Sequence, residues 1–275
     1  MEFRALCTDI DGTLLNGDRE LSRRTIATIK SIDKNIPVIL ASSRMPSAMR
    51  HLQRELDILQ HPLICYNGGY VIQYENDTAT PDVIDSVQIP LTVCTSILKL
   101  TLGKTIHVSL YYEDNWYAPG LDQWTEREAR ITKVSPTIEN QSAVFEQWRE
   151  SNNGAHKVMC MGSEEEILEL YGNLIDGFSD QLHIYRSKST YLEIAPRTIS
   201  KASALKLILN RLYAIDPSEV IAFGDNYNDI ELIQSVGLGV AVENARPEVK
   251  AIAKKITSNS KDDGVAKVIE RYFGR

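Results

Sequence analysis

Residues 3–15 read Phe3-Arg4-Ala5-Leu6-Cys7-Thr8-Asp9-Ile10-Asp11-Gly12-Thr13-Leu14-Leu15, an apolar strand-like segment that leads two carboxylates into a glycine turn. Side chains of a strand alternate with a period of two, so we expect Asp9 and Asp11 to project near one another at its carboxyl end. Mg²⁺ prefers oxygen ligands and commonly takes one or two carboxylates together with substrate phosphate. The pair therefore favours metal-assisted phosphoryl chemistry, and the alternative is a solvated Asp-x-Asp-Gly turn.

Apolar strand-like runs alternate with segments of helical period in both end regions of the sequence. Near the beginning, Ser22 is a candidate helix N-cap, and Val38–Ala41 form a candidate buried strand after Pro37. The same alternation returns after residue 200, where a helical segment precedes a candidate strand at 220–223. It predicts an α/β fold whose Rossmann-like, doubly wound parallel sheet has helices on both faces.

The region between these ends has a different pattern of candidate strands and helices. Its candidate elements are two aromatic or amphipathic strands, 106–112 and 157–161, and two helices, 91–102 and 164–174. Strands with one alternating apolar face, backed by helices, describe an α+β module with its own core. We therefore expect a core domain of residues 1–83 and 190–275, with an α+β domain of residues 84–189 inserted into it.

Composition excludes several classes of protein. The 275 residues are 43% hydrophobic and 24% charged, which is typical of a globular protein. The formal net charge of −7 opposes attraction to nucleic acid, and no Lys/Arg cluster suggests a track for its phosphates. The four cysteines lack a C-x-x-C pair and the five histidines lack zinc-ligand spacing. We expect buried reduced thiols, no zinc site and no nucleic-acid partner.

The N-terminal residues enter the first candidate strand without an apolar signal-peptide segment, and no uninterrupted apolar run approaches membrane-spanning length. These patterns predict a cytoplasmic protein with no membrane partner. We expect it to be a monomer or a weak homo-oligomer.

The run from Asp9 to Leu15 resembles the first signature of the haloacid dehalogenase superfamily of phosphatases. Later signatures follow in order: Val38-Ile39-Leu40-Ala41-Ser42-Ser43-Arg44, then Lys201 in Ile199-Ser200-Lys201-Ala202, then Ile221-Ala222-Phe223-Gly224-Asp225-Asn226-Tyr227-Asn228-Asp229. Segments that resemble the Cof-type branch are Cys65-Tyr66-Asn67-Gly68-Gly69, Glu243-Asn244-Ala245 and Asp263-Gly264-Val265-Ala266. The resemblance covers both ends of the chain and is weakest between, where that branch carries an inserted cap.

The resemblance implies a role for each acidic residue. Asp9 would attack phosphorus and form an aspartyl-phosphate, the alternative being a metal ligand only. Asp11 would protonate the leaving oxygen and later deprotonate water, while its backbone carbonyl reaches the metal. Asp225 would complete a Mg²⁺ site with Asp9 and Asp11. Asp229 would orient Lys201 or a metal-bound water without binding the metal itself.

The resemblance also implies groups that hold the phosphoryl group. Ser42 and the backbone N–H of Ser43 would bind its oxygens, and Lys201 would neutralise its charge. Asn228 would contact the phosphate or the metal. Each has an ordinary alternative, since Ser42 could be a helix N-cap, Lys201 a solvated charge and Asn228 part of a polar loop that caps the next helix.

The implied function is that of a Mg²⁺-dependent phosphoric monoester hydrolase acting on a small phosphorylated metabolite, such as a sugar phosphate or a phosphorylated cofactor. The inserted cap would select the substrate. Two alternatives stay open. One is a phosphomutase on the same fold, which returns the phosphoryl group to a sugar hydroxyl, and the other is a non-catalytic binding or regulatory protein.

Overall fold

The computed structural model describes residues 2–75, 78 and 80–274. The chain divides into two compact units. The first comprises Met1–Arg44, Met49–Asp85 and Ser200–Arg275, and the second comprises Met45–Ala48 and Ser86–Ile199. Each unit is built on its own β-sheet.

The strands, in chain order, are β1 (Ala5–Thr8), β2 (Val38–Ala41), β3 (Leu63–Cys65), β4 (Tyr70–Gln73), β5 (Asp82–Ser86), β6 (His107–Tyr112), β7 (Asn115–Ala118), β8 (Thr137–Ile138), β9 (Lys157–Met161), β10 (Leu182–Lys188), β11 (Tyr191–Pro196), β12 (Val220–Gly224), β13 (Leu238–Ala241) and β14 (Lys255–Ile256). The α-helices are α1 (Arg23–Lys30), α2 (Ser47–Leu56), α3 (Leu91–Leu100), α4 (Gln123–Thr132), α5 (Gln141–Ser151), α6 (Glu164–Phe178), α7 (Lys201–Ile208), α8 (Ile230–Ser235), α9 (Pro247–Ile252) and α10 (Gly264–Phe273).

The first unit has an eight-stranded sheet in the order β14-β13-β12-β1-β2-β3-β4-β5. The strands from β14 to β3 run parallel to their neighbours, and β4 is antiparallel to β3. Every residue of β1, β2 and β12 is buried, so both faces of the sheet are covered. The predicted doubly wound α/β fold is confirmed.

Two serine N-caps fix where helices of this unit begin. The Ser22 side chain accepts a hydrogen bond from the Thr25 N–H, and α1 begins at the next residue, as predicted. The Ser200 side chain accepts from the Ser203 N–H, while the Ser203 hydroxyl accepts from the Ser200 N–H. This reciprocal capping box places Lys201 in the first turn of α7.

The second unit has a six-stranded sheet in the order β10-β11-β9-β6-β7-β8, antiparallel except for the β7–β8 pair. Side chains of α3, α5 and α6, such as Ile97, Val144 and Leu170, pack on Val108 and Val158 in one buried cluster. The predicted α+β composition of this region is confirmed.

The sequence predicted that the second unit ends at residue 189, but it extends to residue 199. The reason is the pairing of β11, which is antiparallel to both β9 and β10 and aligns Ile194 with Val158. Residues 190–199 therefore belong with the second sheet. At the entry, residues 82–85 of β5 still belong to the first unit, so the long segment of the second unit begins at residue 86, the last residue of β5, and not at 84.

Two findings bear on the environment of the protein. Cys7, Cys65, Cys94 and Cys160 are all free and buried, as the sequence predicted. Within the part of the chain that the structure describes, every helix is too short or too polar to cross a bilayer.

His61 is a buried histidine of the first unit that the sequence did not single out. Its Nδ1 accepts a hydrogen bond from the Val38 N–H at 3.0 Å, and its backbone oxygen accepts from Gln53 Nε2 at 2.7 Å. Burial lowers the pKa of His61 to about 4. The ring is therefore neutral in the folded protein and carries its proton on Nε2.

We predict that stability falls as the pH drops from about 6.5, the ordinary histidine value, to about 4. In this window the unfolded chain binds a proton at His61 and the folded chain does not. The free energy of unfolding then decreases by at most ~1.4 kcal/mol per pH unit from this group. Urea unfolding of the wild type at several pH values measures the slope.

The matched variant is His61→Asn, whose side-chain oxygen can still accept from Val38 but does not titrate. It should lose this part of the slope. His51→Asn, which removes a histidine from α2 in the same unit, should keep it. An unchanged slope in His61→Asn would contradict the assignment.

Candidate active site

Three neighbouring parallel strands end at one edge of the first sheet. Because β12, β1 and β2 are adjacent and parallel, their carboxyl ends lie side by side. Asp9 follows β1, Ser42 follows β2, and Asp225 follows β12. The topology therefore places three predicted site residues at the same edge.

The Lys201 ammonium lies between two carboxylates. Its side chain is fully buried, and Nζ donates to Asp9 Oδ1 at 2.6 Å and to Asp229 Oδ1 at 2.7 Å. Burial favours the neutral amine, but the charges of Asp229 and Asp9 outweigh it and raise the pKa of Lys201. Lys201 is therefore a fixed cation, which excludes the alternative of a solvated charge.

A third carboxyl group, that of Asp225, lies beside the two that bind this ammonium. One oxygen from each of Asp9, Asp225 and Asp229 lies within 4.8 Å of the others. Burial and the neighbouring acids raise the pKa of Asp9 well above its usual range, although Lys201 opposes them. Burial, followed by the charge of Asp229, raises the pKa of Asp225 to about 6. The cluster has three carboxyl groups and one lysine, and their raised pKa values express a mutual repulsion that a further cation would relieve.

Asp229 is bound by the protein through both oxygens. Oδ1 accepts from Lys201, and Oδ2 accepts from the backbone N–H groups of Asp225 at 2.9 Å and Asn226 at 3.0 Å. On the same loop, Asp225 Oδ1 accepts from the Thr13 hydroxyl at 3.1 Å. Asp229 thus fixes both the lysine and the loop that carries Asp225.

The donor set fits Mg²⁺. All three side chains offer carboxylate oxygens, which are the ligands this ion prefers. Asp9 Oδ2 is buried and has no hydrogen-bond partner in the described structure. A buried carboxylate oxygen in that state is costly unless a proton or a cation binds it, and a cation is what keeps Asp9 ionised. Asp9 and Asp225 are the residues that would hold the ion.

The position of Asp11 differs from the expectation. Strand β1 ends at Thr8, and Ile10–Leu14 form a tight turn with extended backbone at Asp11 and a positive φ at Gly12, so the regular alternation of strand side chains stops before Asp11. Its side chain binds Arg44 instead, and the acidic cluster of the described residues does not include it. For Asp11, the backbone carbonyl is the group left to reach a metal.

The Asp11 carboxylate is held by Arg44. Arg44 Nε donates to Oδ2 at 2.7 Å and Nη2 donates to Oδ1 at 2.8 Å, while Arg19 Nη1 is 3.5 Å from Oδ1. Burial raises the pKa of Asp11, but the bonds and charge of Arg44, aided by Arg19, outweigh it and lower the pKa below its usual range.

Gly12 lets the first turn approach the acidic loop. It has φ +85°, a conformation that L side chains rarely adopt, and a Cβ there would lie 2.6 Å from Asp225 Oδ2. Its carbonyl oxygen accepts from Asn244 Nδ2 at 2.7 Å. A side chain at this position would displace the Asp225 carboxylate.

Ser42 is buried, and its hydroxyl oxygen accepts from the Arg44 N–H at 3.3 Å. Helix α2 begins only at Ser47, so Ser42 is not its N-cap. The Ser42 carbonyl accepts from the Asn67 N–H at 2.8 Å, and Asn228 Nδ2 donates to Asn67 Oδ1 at 2.9 Å. Asn67 thus links the loop after β2 with the loop after β12. Ser43, which follows Ser42 in the chain, is half-buried.

Among the residues that touch these acids, sequence reasoning missed Arg44 and Thr13. Both lie inside the quoted signature segments, but spacing along the chain does not show which side chain each will bind. The available signal was that Thr13 follows β1 and Arg44 follows β2, which places both in loops at the edge where the acids lie.

A family model described as haloacid dehalogenase-like hydrolase matches residues 6–269. A protein of Haemophilus influenzae that bears the name "Putative phosphatase" is 30% identical, over 99% of each chain. The 5-amino-6-(5-phospho-D-ribitylamino)uracil phosphatase of Bacillus subtilis is 26% identical, over 98% of this chain and 97% of its own.

Solved structures share the fold. A haloacid dehalogenase-like hydrolase from Bacteroides thetaiotaomicron has a TM-score of 0.87 at 27% identity, covering 99% of this chain and 100% of its own. TM0651 from Thermotoga maritima has a TM-score of 0.85 at 30% identity, covering 98% and 97%. The motifs and these likenesses together show that the chain belongs to the haloacid dehalogenase-like hydrolase family, as its resemblance to the Cof-type branch predicted.

Proposed function

We propose that this protein is a Mg²⁺-dependent phosphatase that hydrolyses a small phosphorylated metabolite through an aspartyl-phosphate on Asp9. The observation that carries the proposal is the state of the Asp9 carboxylate. One oxygen is fixed by the buried Lys201 ammonium, and the other accepts no hydrogen bond from the residues that the structure describes. A carboxylate oriented in this way suits a nucleophile. When bound, Mg²⁺ favours the ionised acids and stabilises charge on the transferring phosphoryl group.

In the first step, an oxygen of Asp9 bonds to phosphorus while the bond from phosphorus to the leaving oxygen breaks. Asp11 enters this step protonated, with one of its two bonds from Arg44 open. It gives that proton to the leaving oxygen, which departs as an alcohol. Lys201, the Ser42 hydroxyl and the backbone N–H of Ser43 stabilise the charge on the phosphoryl oxygens.

In the second step, Asp11 accepts a proton from water as the water oxygen bonds to phosphorus. The bond between phosphorus and Asp9 breaks, so inorganic phosphate leaves and the Asp9 carboxylate returns. Asp229 keeps Lys201 in place throughout, and Asn228 contacts the phosphate or the metal.

We propose a sugar phosphate or a phosphorylated cofactor as the substrate. The name of the Bacillus subtilis relative specifies a phosphate on a ribityl chain, which supports a phosphoric monoester of this kind. The second unit would act as the cap that selects the substrate, since all the proposed reacting residues lie in the first unit. The four buried reduced cysteines support a cytoplasmic location. We expect a monomer or weak homo-oligomer that binds no nucleic acid.

We predict that the purified protein with Mg²⁺ releases inorganic phosphate from p-nitrophenyl phosphate and from some members of a panel of phosphorylated metabolites. A chelator should abolish the release. Asp225→Ala should raise the Mg²⁺ concentration needed for half-maximal rate, because it removes one oxygen ligand. The measurement is phosphate release as a function of Mg²⁺ concentration.

Asp57→Ala is the matched control, because it removes an exposed carboxylate of the same unit that pairs with Lys34. Its Mg²⁺ dependence should equal that of the wild type. Full activity in chelator would exclude the metal assignment, and no release from the whole panel would exclude the phosphatase. Transfer of the phosphoryl group to a second sugar hydroxyl would identify a phosphomutase.

We predict that Asp11→Asn lowers the rate by roughly 10²–10⁴-fold for alkyl phosphates and much less for p-nitrophenyl phosphate, whose leaving oxygen needs little protonation. Asp9→Asn should abolish hydrolysis of both substrates. The measurement is kcat for a series of esters with leaving groups of different pKa. Equal losses in Asp11→Asn across the series would contradict its role as the acid.

A further inference from the structure

Arg44 and Asp11 form a two-point ion pair whose two partners differ in exposure. The Arg44 side chain is 6% exposed and the Asp11 side chain is 39% exposed. Nε and Nη2 donate to different oxygens of the carboxylate, at 2.7 and 2.8 Å. The planar guanidinium therefore fixes the plane of the carboxylate as well as its position.

The backbone of Arg44 is itself fixed at two points. Its N–H donates to the Ser42 hydroxyl at 3.3 Å, and its carbonyl oxygen accepts from the Tyr66 N–H at 3.2 Å. The orientation of Asp11 is therefore set from the loop after β2, which carries the proposed phosphoryl ligand Ser42. The turn that contains Asp11 has extended backbone at Asp11 and a positive φ at Gly12, and the nearest contact from its own side is the longer one, Arg19 Nη1 at 3.5 Å from Oδ1.

We propose that Arg44 is a positioning residue for Asp11: it aims the carboxyl group relative to the phosphoryl group held beside Ser42. One of the two bonds from Arg44 keeps Asp11 in place, and the other opens when Asp11 takes up the proton that it transfers to the leaving oxygen. The inference rests on the proposed function. Proton transfer needs heavy atoms about 2.6–3.2 Å apart, and a misplacement of ~1 Å can lower a rate roughly 10²-fold. Substitution of Arg44 should therefore lower kcat only for substrates whose reaction depends on Asp11.

The test is a double-mutant cycle with two substrates. Arg44→Met should lower kcat for an alkyl phosphate about 10- to 100-fold with KM changed less than about twofold, and it should affect p-nitrophenyl phosphate much less. In the Asp11→Asn background, Arg44→Met should lower kcat for the alkyl phosphate by less than about twofold further. Arg44→Lys keeps the charge but cannot bridge both oxygens, so it should resemble Arg44→Met.

Arg24→Met is the matched control. Arg24 makes the same kind of two-point bond, to Glu270 at 2.8 and 2.6 Å, on the exposed side of the first unit. It should leave kcat for both substrates unchanged. If Arg44→Met does not fold, as judged by circular dichroism, Arg44→Lys carries the cycle alone.

Two results would overturn the proposal. One is an equal loss of kcat for alkyl and aryl phosphates in the Arg44 variants, and the other is a full multiplicative loss in the Asp11→Asn background. Either would mean that Arg44 acts on the phosphoryl group and not through Asp11. A wild type that hydrolyses no phosphate ester would instead refute the proposed function itself, so the two failures are distinguishable.

Discussion

The buried ammonium of Lys201, bound to Asp9 and Asp229, is the interaction on which the first unit depends. Such a cation is tolerated only when carboxylates satisfy it, and removing one partner of a buried pair costs roughly 3–5 kcal/mol. The three residues come from the end of β1, the start of α7 and the loop after β12. One charge thus joins segments that are distant in the chain, and it fixes one oxygen of the proposed nucleophile.

Other local features serve to place that lysine. Ser200 caps α7, and Gly68 in the turn after β3 has φ +109° and lies so close that a Cβ would be 2.6 Å from the Ser200 carbonyl oxygen. A side chain at position 68 would push the start of α7, and Lys201 with it, out of place. The three acids still outnumber the lysine, so the same cluster that orients Asp9 also favours a divalent cation.

The sequence predicted the buried strands β1, β2 and β12 closely, because each is an apolar run bounded by proline, glycine or polar loop residues. Parallel topology then implied that Asp9, Ser42 and Asp225 share an edge. The side-chain direction of Asp11 was not predictable, since β1 ends at Thr8 and the local turn replaces strand alternation. Its bond to Arg44 depends on how two loops meet in space. The predicted end of the second unit, residue 189, was too early, because only the pairing of β11 with β9 shows that β11 belongs to the second sheet.

The most direct test of the central claim is to find the residue that carries the phosphoryl group during turnover. The protein with Mg²⁺ and a hydrolysed substrate would be quenched in acid, digested and mapped by mass spectrometry. A phosphoryl adduct on Asp9 that is absent from Asp9→Asn is the predicted result, because Asp9 is the carboxylate that Lys201 orients. An adduct on any other residue, or turnover that continues in Asp9→Asn, would contradict the account.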